Sequence, residues 1–75
     1  MILVQAFARY RERLGWERRD FPLPSPPTLA ALLADPLLAE LPPESLFAVN
    51  RTFAGRDATL QDGAEVAIFP PVSGG

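Results

Sequence analysis

With 75 residues, the chain is long enough for one small domain but not for two hydrophobic cores. It has no cysteine and no histidine, which excludes disulfides, thiolate nucleophiles and the usual zinc sites, so we expect neither a metal site nor catalysis by its own side chains. Its net charge of −2 argues against a nucleic-acid partner. The longest apolar stretch, residues 29–41, is interrupted by Asp35 and Pro36 and is too short to span a membrane. Because the N-terminal residues also lack the pattern of a signal peptide, we expect a cytoplasmic protein.

The first third of the chain predicts two antiparallel strands around a short helix. Residues 2–7 form a strand whose even-numbered side chains share one face, while Gln5 marks the other face as the wetter one. Residues 9–14 form a helix that Gly15 ends in the left-handed conformation. Residues 16–23 return as the second strand, and the prolines after them force a loop.

The middle of the chain predicts two short helical stretches. Thr28 is a favourable N-cap for a helix over residues 29–34, whose leucines lie on one face. Asp35, followed by a proline, predicts that a second helix runs to Leu41, where two further prolines stop it.

The last third predicts three strands. Residues 46–50 form an apolar strand, Asn50-Arg51 forms a turn, and Thr52-Phe53 begins a brief edge strand. After a loop, Asp62-Gly63 forms a tight turn into the last strand, residues 64–69.

These elements indicate an α+β fold, in which one mixed sheet packs on one helical segment. Their order is that of the β-grasp, or ubiquitin-like, fold, in which the first and last strands lie side by side at the centre. We expect a β-grasp domain over residues 1–69, followed by an extended, flexible tail over residues 70–75.

The tail is the part with unusual chemical promise. Phe69 and Pro70 each precede a proline, which ends the strand and favours a stiff, extended rod that reaches about 20 Å. Gly74 and Gly75 have no Cβ and fit a narrow channel. If ATP activates the terminal carboxylate as an acyl-adenylate, a sulfur nucleophile displaces AMP and leaves a thiocarboxylate. The alternative is a frayed chain end without a role.

Three segments of the sequence resemble the small subunits of molybdopterin synthases, a family of ubiquitin-like sulfur carriers. They are MILVQAFA with Arg11, Glu12 and Gly15 after it, AVNRT at residues 48–52, and DGAEVAIFPPVSGG at residues 62–75. The resemblance spans the whole chain, and the closing FPPVSGG is its most specific part.

The resemblance implies a mechanism and a set of partners. An E1-like adenylyltransferase uses ATP to activate Gly75, and a sulfurtransferase supplies sulfur, so the chain itself binds no cofactor. The thiocarboxylated tail then enters the large synthase subunit, in a heterotetramer of two small and two large subunits. There the sulfur passes to cyclic pyranopterin monophosphate, and the catalytic side chains belong to the large subunit.

Strand alternation predicts a docking patch. Phe7 and Phe69 fall on the wetter face of neighbouring strands, and Phe53 extends them, so we expect the three rings to bind a partner. The resemblance also implies that these positions are interface positions. The tail residues Pro70, Pro71, Val72 and Ser73 complete the expected interface.

Three other functions stay open from the sequence. The chain could carry sulfur for thiamin synthesis or tRNA thiolation, or it could be a protein modifier that forms an isopeptide bond through Gly75. The absence of lysine excludes chains of linked copies but not attachment to other proteins. The third is a passive interaction domain with an inert end.

Overall fold

A computed structural model describes residues 1–71, which form five strands and two helices. In chain order these are β1 (Ile2–Ala6), α1 (Arg9–Leu14), β2 (Arg18–Phe21), α2 (Leu29–Leu33), β3 (Leu46–Val49), β4 (Thr52–Ala54) and β5 (Glu65–Phe69). Neither helix in this part of the chain has the length and apolar character needed to cross a bilayer.

The five strands form one mixed sheet in the order β2-β1-β5-β3-β4. The first and last strands lie side by side at its centre, as predicted; they run parallel, while the other neighbouring strands pair antiparallel. The brief strand β4 forms one edge, also as predicted. A parallel central pair brings the carboxyl ends of β1 and β5 to the same end of the sheet.

Strand alternation gives the sheet one buried face, which we call the core face. Ile2, Val4, Val66 and Ile68 point to this face and are fully buried. They pack with the apolar residues of the helices and loops, including those of α2, in one continuous core. The other core members are Ala6, Tyr10, Phe21, Leu29, Leu32, Leu33, Leu38, Leu41, Phe47, Leu60 and Ala64.

Local capping explains where the two helices begin and end. The Thr28 hydroxyl accepts a hydrogen bond from the amide of Ala31 at 3.2 Å, so Thr28 is the predicted N-cap of α2. Gly15 ends α1 with a φ of 84°, a left-handed conformation that glycine adopts without steric penalty.

Two predicted elements are wrong in extent. Residues 36–41 form successive turns rather than a helix: the amides of Leu38 and Leu41 donate three residues back, as in turns, and neither flanking proline, Pro36 or Pro42, can donate at all. Strand β2 covers Arg18–Phe21 rather than residues 16–23, because its partner β1 is short and Pro22 cannot donate to the ladder.

Candidate functional site

The sheet face opposite the core, which we call the open face, carries the three phenylalanines predicted from the sequence. The rings of Phe7 and Phe69 stack with centroids 4.7 Å apart and planes inclined by 15°. Phe53 lies beside Phe69 at 6.1 Å, with a tilt of 54°. The structure therefore brings Phe7, Phe53 and Phe69 together in one cluster, the aromatic patch.

Strand register explains why the rings meet. The Phe7 amide donates to the carbonyl oxygen of Ile68, so Phe7 continues the pairing of β1 beside Phe69 of β5. Ala67 of β5 pairs with Ala48 of β3, and Ala48 pairs with Phe53 of β4. Two small side chains thus separate the rings of the central strands from the ring on the edge strand. They leave a shallow groove between the rings.

This groove has a volume of about 410 Å³ and is part of the open face. Its lining residues are Gln5, Phe7, Ala48, Arg51, Phe53, Glu65, Ala67 and Phe69. Most of the lining is apolar, and its polar members are the amide of Gln5, the basic Arg51 and the acidic Glu65. Such a surface suits another protein better than a small polar metabolite.

The rings of the aromatic patch differ from the other phenylalanines in exposure. Phe53 is 72% exposed and Phe7 is 39% exposed, whereas Phe21 and Phe47 in the core are 2% and 5% exposed. Phe69 is half-buried. Clustered exposed aromatic side chains are uncommon on monomeric proteins and usually mark a binding surface.

Leu46 is an open-face residue that the sequence reasoning missed. It pairs with Phe69 across β3 and β5, and its side chain is 38% exposed. The signal was present, because Leu46 precedes Phe47 in a strand and must face away from it. We add Leu46 to the aromatic patch as a neighbour at the tail end.

The predicted tail starts at the aromatic patch. Strand β5 ends at Phe69, where the two prolines begin, and Pro70 and Pro71 are both half-buried. The predicted site residues Val72, Ser73, Gly74 and Gly75 lie outside the described residues. The patch and the root of the tail are thus adjacent through Phe69.

Charged groups elsewhere offer little for chemistry. Between residues 1 and 71, no three acidic side chains come close enough to hold a metal ion. A hydrogen bond from the N-terminal ammonium of Met1 holds the pKa of the exposed Asp62 carboxyl below its usual range. An exposed ion pair joins Arg11 and Glu17 at 3.7 Å. These contacts are on the surface and do not involve the aromatic patch.

The sequence is similar to those of known proteins. The sequence profile of the ThiS family matches residues 4–75. The molybdopterin synthase sulfur carrier subunit of Escherichia coli (strain K12) is 38% identical over 81 aligned positions, which cover all of both chains.

Two solved structures have the same fold. A Pyrococcus furiosus protein assigned as molybdopterin converting factor, subunit 1, superposes with a TM-score of 0.78 at 27% identity, covering 95% of this chain and 97% of its own. SAMP1 of Haloferax volcanii, a small archaeal modifier protein, superposes with a TM-score of 0.69 at 29% identity, covering 99% of this chain and 98% of its own. The predicted β-grasp fold is confirmed by these neighbours together with the strand order.

Proposed function

The chain belongs to the ThiS family, and from this membership we propose that it is the sulfur carrier and small subunit of a molybdopterin synthase. The observation that carries this proposal is the full-length likeness to the sulfur carrier subunit of Escherichia coli. The closing sequence FPPVSGG and the aromatic patch at its root support the same assignment.

The proposed chemistry takes place at the carboxylate of Gly75. In an E1-like adenylyltransferase, a carboxylate oxygen attacks the α-phosphate of ATP, which releases pyrophosphate and forms an acyl-adenylate. A thiol reduces the persulfide of a sulfurtransferase, forming a disulfide and releasing hydrosulfide, which then attacks the carbonyl carbon. The new C–S bond replaces the C–O bond, and AMP leaves with that oxygen. The product is a thiocarboxylate, in which sulfur is a better nucleophile than the oxygen it replaced.

The thiocarboxylate then serves the large subunit of the synthase. Within that subunit the sulfur passes to cyclic pyranopterin monophosphate, and two such transfers supply both sulfur atoms of molybdopterin. In this scheme ATP belongs to the activating partner, and this chain contributes no catalytic side chain. A heterotetramer of two small and two large subunits in the cytoplasm stays a prediction.

The aromatic patch gives this proposal a physical basis for docking. Phe69 stacks on Phe7 and is followed at once by the tail, so a partner that covers these rings also fixes the direction in which the tail leaves the sheet. Fixing the root of the tail lowers the entropy that its insertion must lose. We therefore assign docking to the patch and chemistry to the tip.

Intact mass spectrometry of the protein purified from its own host tests the carrier role. We expect a fraction of the chain to be heavier by the exchange of one oxygen for sulfur. A variant without Gly75 is the matched control and should lack this species. A Gly74→Val variant should form it more slowly, because a β-branched residue fits a narrow channel poorly. A wild-type chain that remains unmodified under every condition would contradict the proposal.

A second candidate function is conjugation to proteins. It is favoured by the structural likeness to a small archaeal modifier protein, which covers almost the whole chain. In this case Gly75 would form an isopeptide bond with a lysine of a target protein. Covalent adducts that disappear when Gly75 is deleted would support it, and their absence beside a thiocarboxylate would favour the carrier alone.

A carrier for thiamin synthesis or tRNA thiolation has the same chemistry and a different acceptor. Deletion of the gene separates these pathways, because each has its own product. We expect loss of molybdenum cofactor, with thiamin and thiolated tRNA retained. Loss of either of the latter would assign a shared or different pathway.

A further inference from the structure

The hairpin turn between β3 and β4 has a backbone that does not suit one of its two residues. Val49 pairs with Thr52, so the loop consists of Asn50 and Arg51, whose φ values are 50° and 70°. Two-residue hairpin loops with positive φ at both positions favour Asn-Gly, because glycine has no Cβ to clash. Arginine at the second position is therefore unfavourable for the turn itself.

The structure explains Asn50 but not Arg51. Asparagine tolerates the left-handed conformation, and its side-chain oxygen accepts a hydrogen bond from the Glu65 amide at 3.0 Å. The Asn50 amide donates to the Glu65 carbonyl at 2.8 Å, which ties the turn to β5. The two ion pairs within residues 1–71 join other groups, so the Arg51 guanidinium has no counterion in this part of the chain.

Arg51 lies on the rim of the groove that the aromatic patch forms. Glu65, at the start of β5, also lines the groove and is bound to the adjacent turn residue Asn50 by two hydrogen bonds, while Phe69 is at the end of the same strand. Four residue steps along the strand place Glu65 and Phe69 about 13 Å apart. The groove thus has aromatic rings at the tail end and a guanidinium at the hairpin end.

We propose that Arg51 is a specificity-determining residue, which binds a carboxylate on the partner that covers the aromatic patch. This inference rests on the proposed function, since it needs the large synthase subunit to dock on the open face. Docking removes water from the groove and from part of the guanidinium on its rim, and an anion on the partner offsets this loss of hydration. A carboxylate is the matching group, because it accepts two parallel hydrogen bonds from the planar guanidinium. A contact so far from the tail sets orientation and partner choice, and it leaves the chemistry at Gly75 untouched.

The variant Arg51→Gly tests this, because it should change stability and affinity in opposite directions. Glycine suits the turn, so Tm should rise by a few degrees, although its greater freedom in the unfolded chain offsets part of the gain. The Kd for the host's own large subunit should increase about tenfold to a hundredfold, as expected for loss of a charge-assisted hydrogen bond. The affinity should also become less sensitive to salt. Thermal melts and calorimetric titrations at two salt concentrations measure all three quantities.

Three control variants separate the possible explanations. Arg19 pairs with Val4 and therefore points away from the open face. Arg19→Gln removes this exposed positive charge and should leave the Kd for the large subunit unchanged. Glu65→Gln tests whether the Arg51 guanidinium pairs with the Glu65 carboxylate of the same chain. If that variant reproduces the loss seen with Arg51→Gly, the carboxylate belongs to this chain and the inference is wrong. Phe53→Ala tests the open face independently of Arg51.

The outcomes distinguish this inference from the proposed function. If Phe53→Ala weakens binding and Arg51→Gly does not, the carboxylate contact is wrong while docking on the open face stands. If neither variant changes the Kd, or if no binding to the large subunit is found, the proposed docking is wrong. The inference about Arg51 is then wrong as well. Weaker binding of Arg51→Gly together with a lower Tm would indicate damage to the fold and would overturn the inference.

Discussion

The two faces of the sheet carry similar apolar side chains, but their surroundings differ. Ile68 and Phe69 are neighbours in β5, yet Ile68 is fully buried and Phe69 is half-buried beside rings that are more exposed. Helix α2 and the turns after it supply the leucines of the core face. A chain of this length has helical residues enough for one layer only. The apolar side chains of the open face are therefore not needed to complete the core.

The polar groups near the two faces follow the same division. Within residues 1–71, every buried side-chain nitrogen or oxygen has a hydrogen-bond partner, and the Tyr10 hydroxyl lies 2.7 Å from that of Ser45. On the open face, Arg51 and Glu65 stand at the rim of an apolar groove. The core thus has no unpaired polar group among these residues. The open face has an aromatic centre and a charged rim, which is typical of a protein–protein interface.

Substitutions of the adjacent residues Ile68 and Phe69 should have the largest effects, one on stability and the other on binding. Ile68→Ala should destabilise the protein by about 2–5 kcal/mol, because it leaves a cavity in the core. Phe69→Ala should change stability much less, but it should weaken binding to the large subunit about thirtyfold, the effect of losing a hot-spot ring worth ~2 kcal/mol. Chemical denaturation and calorimetric titration of both variants measure the two effects.

The matched control for this pair is Phe53→Ala, which removes the most exposed ring of the patch. It should resemble Phe69→Ala in keeping its stability. If Phe69→Ala lowers stability as far as Ile68→Ala does while the affinity is retained, Phe69 belongs to the core and the docking patch is wrong.

The sequence was sufficient to predict which side chains share a face of each central strand. The alternation in residues 2–7 and 64–69 placed Phe7 and Phe69 on the same side, and the adjacency of β1 and β5 in the structure brings the rings together. Alternation is a local property of an extended chain, so a single strand reveals it. Which strand lies beside it is a property of the tertiary structure. The adjacency of the first and last strands was predicted from the likeness to the β-grasp fold.

Other features needed coordinates because they depend on distant residues. The proline-bounded segment 36–41 has helical composition but forms turns, in which Leu38 and Leu41 reach the core while Leu37 is exposed. Strand alternation alone puts Leu46 opposite to Phe47, but its position beside Phe69 depends on the pairing of β3 with β5. The positive φ of Arg51 could not be predicted, since the sequence Asn50-Arg51 lacks the glycine that marks this turn.

A smaller effect is expected at the buried pair of hydroxyl groups formed by Tyr10 and Ser45. Ser45 donates its hydroxyl to the Pro42 carbonyl at 2.6 Å, so Tyr10 is the donor to the Ser45 oxygen. Ser45→Ala should cost about 1–3 kcal/mol, because it leaves the Tyr10 hydroxyl buried without a partner. Tyr10→Phe should cost only about 1 kcal/mol, because Ser45 keeps its bond to Pro42. If both variants lower the free energy of unfolding equally in urea denaturation, the two hydroxyls are not coupled as the geometry indicates.

The smallest expected effect concerns the exposed contact between the Met1 ammonium and Asp62, at the turn that leads into β5. The ammonium lowers the pKa of Asp62 in the folded chain, so the contact stabilises the fold above the unfolded pKa of about 3.9 and is lost as the pH falls through the lower, folded value. Asp62→Asn keeps a residue that suits the turn and removes only the charge. Its Tm should be slightly below that of the wild type at neutral pH, and the difference should vanish in acid.

Thermal melts from neutral pH into acid measure this difference, with Glu44→Gln as a control that removes an exposed carboxylate elsewhere. Because solvent and salt screen an exposed pair, added salt should shrink the Tm difference for Asp62→Asn. A difference that persists unchanged in acid would mean that the asparagine disturbs the turn rather than an ion pair. In that case β1 and the start of β5 are held together by the Gly63 amide, which donates to the Met1 carbonyl at 2.8 Å, and by the strand ladder alone.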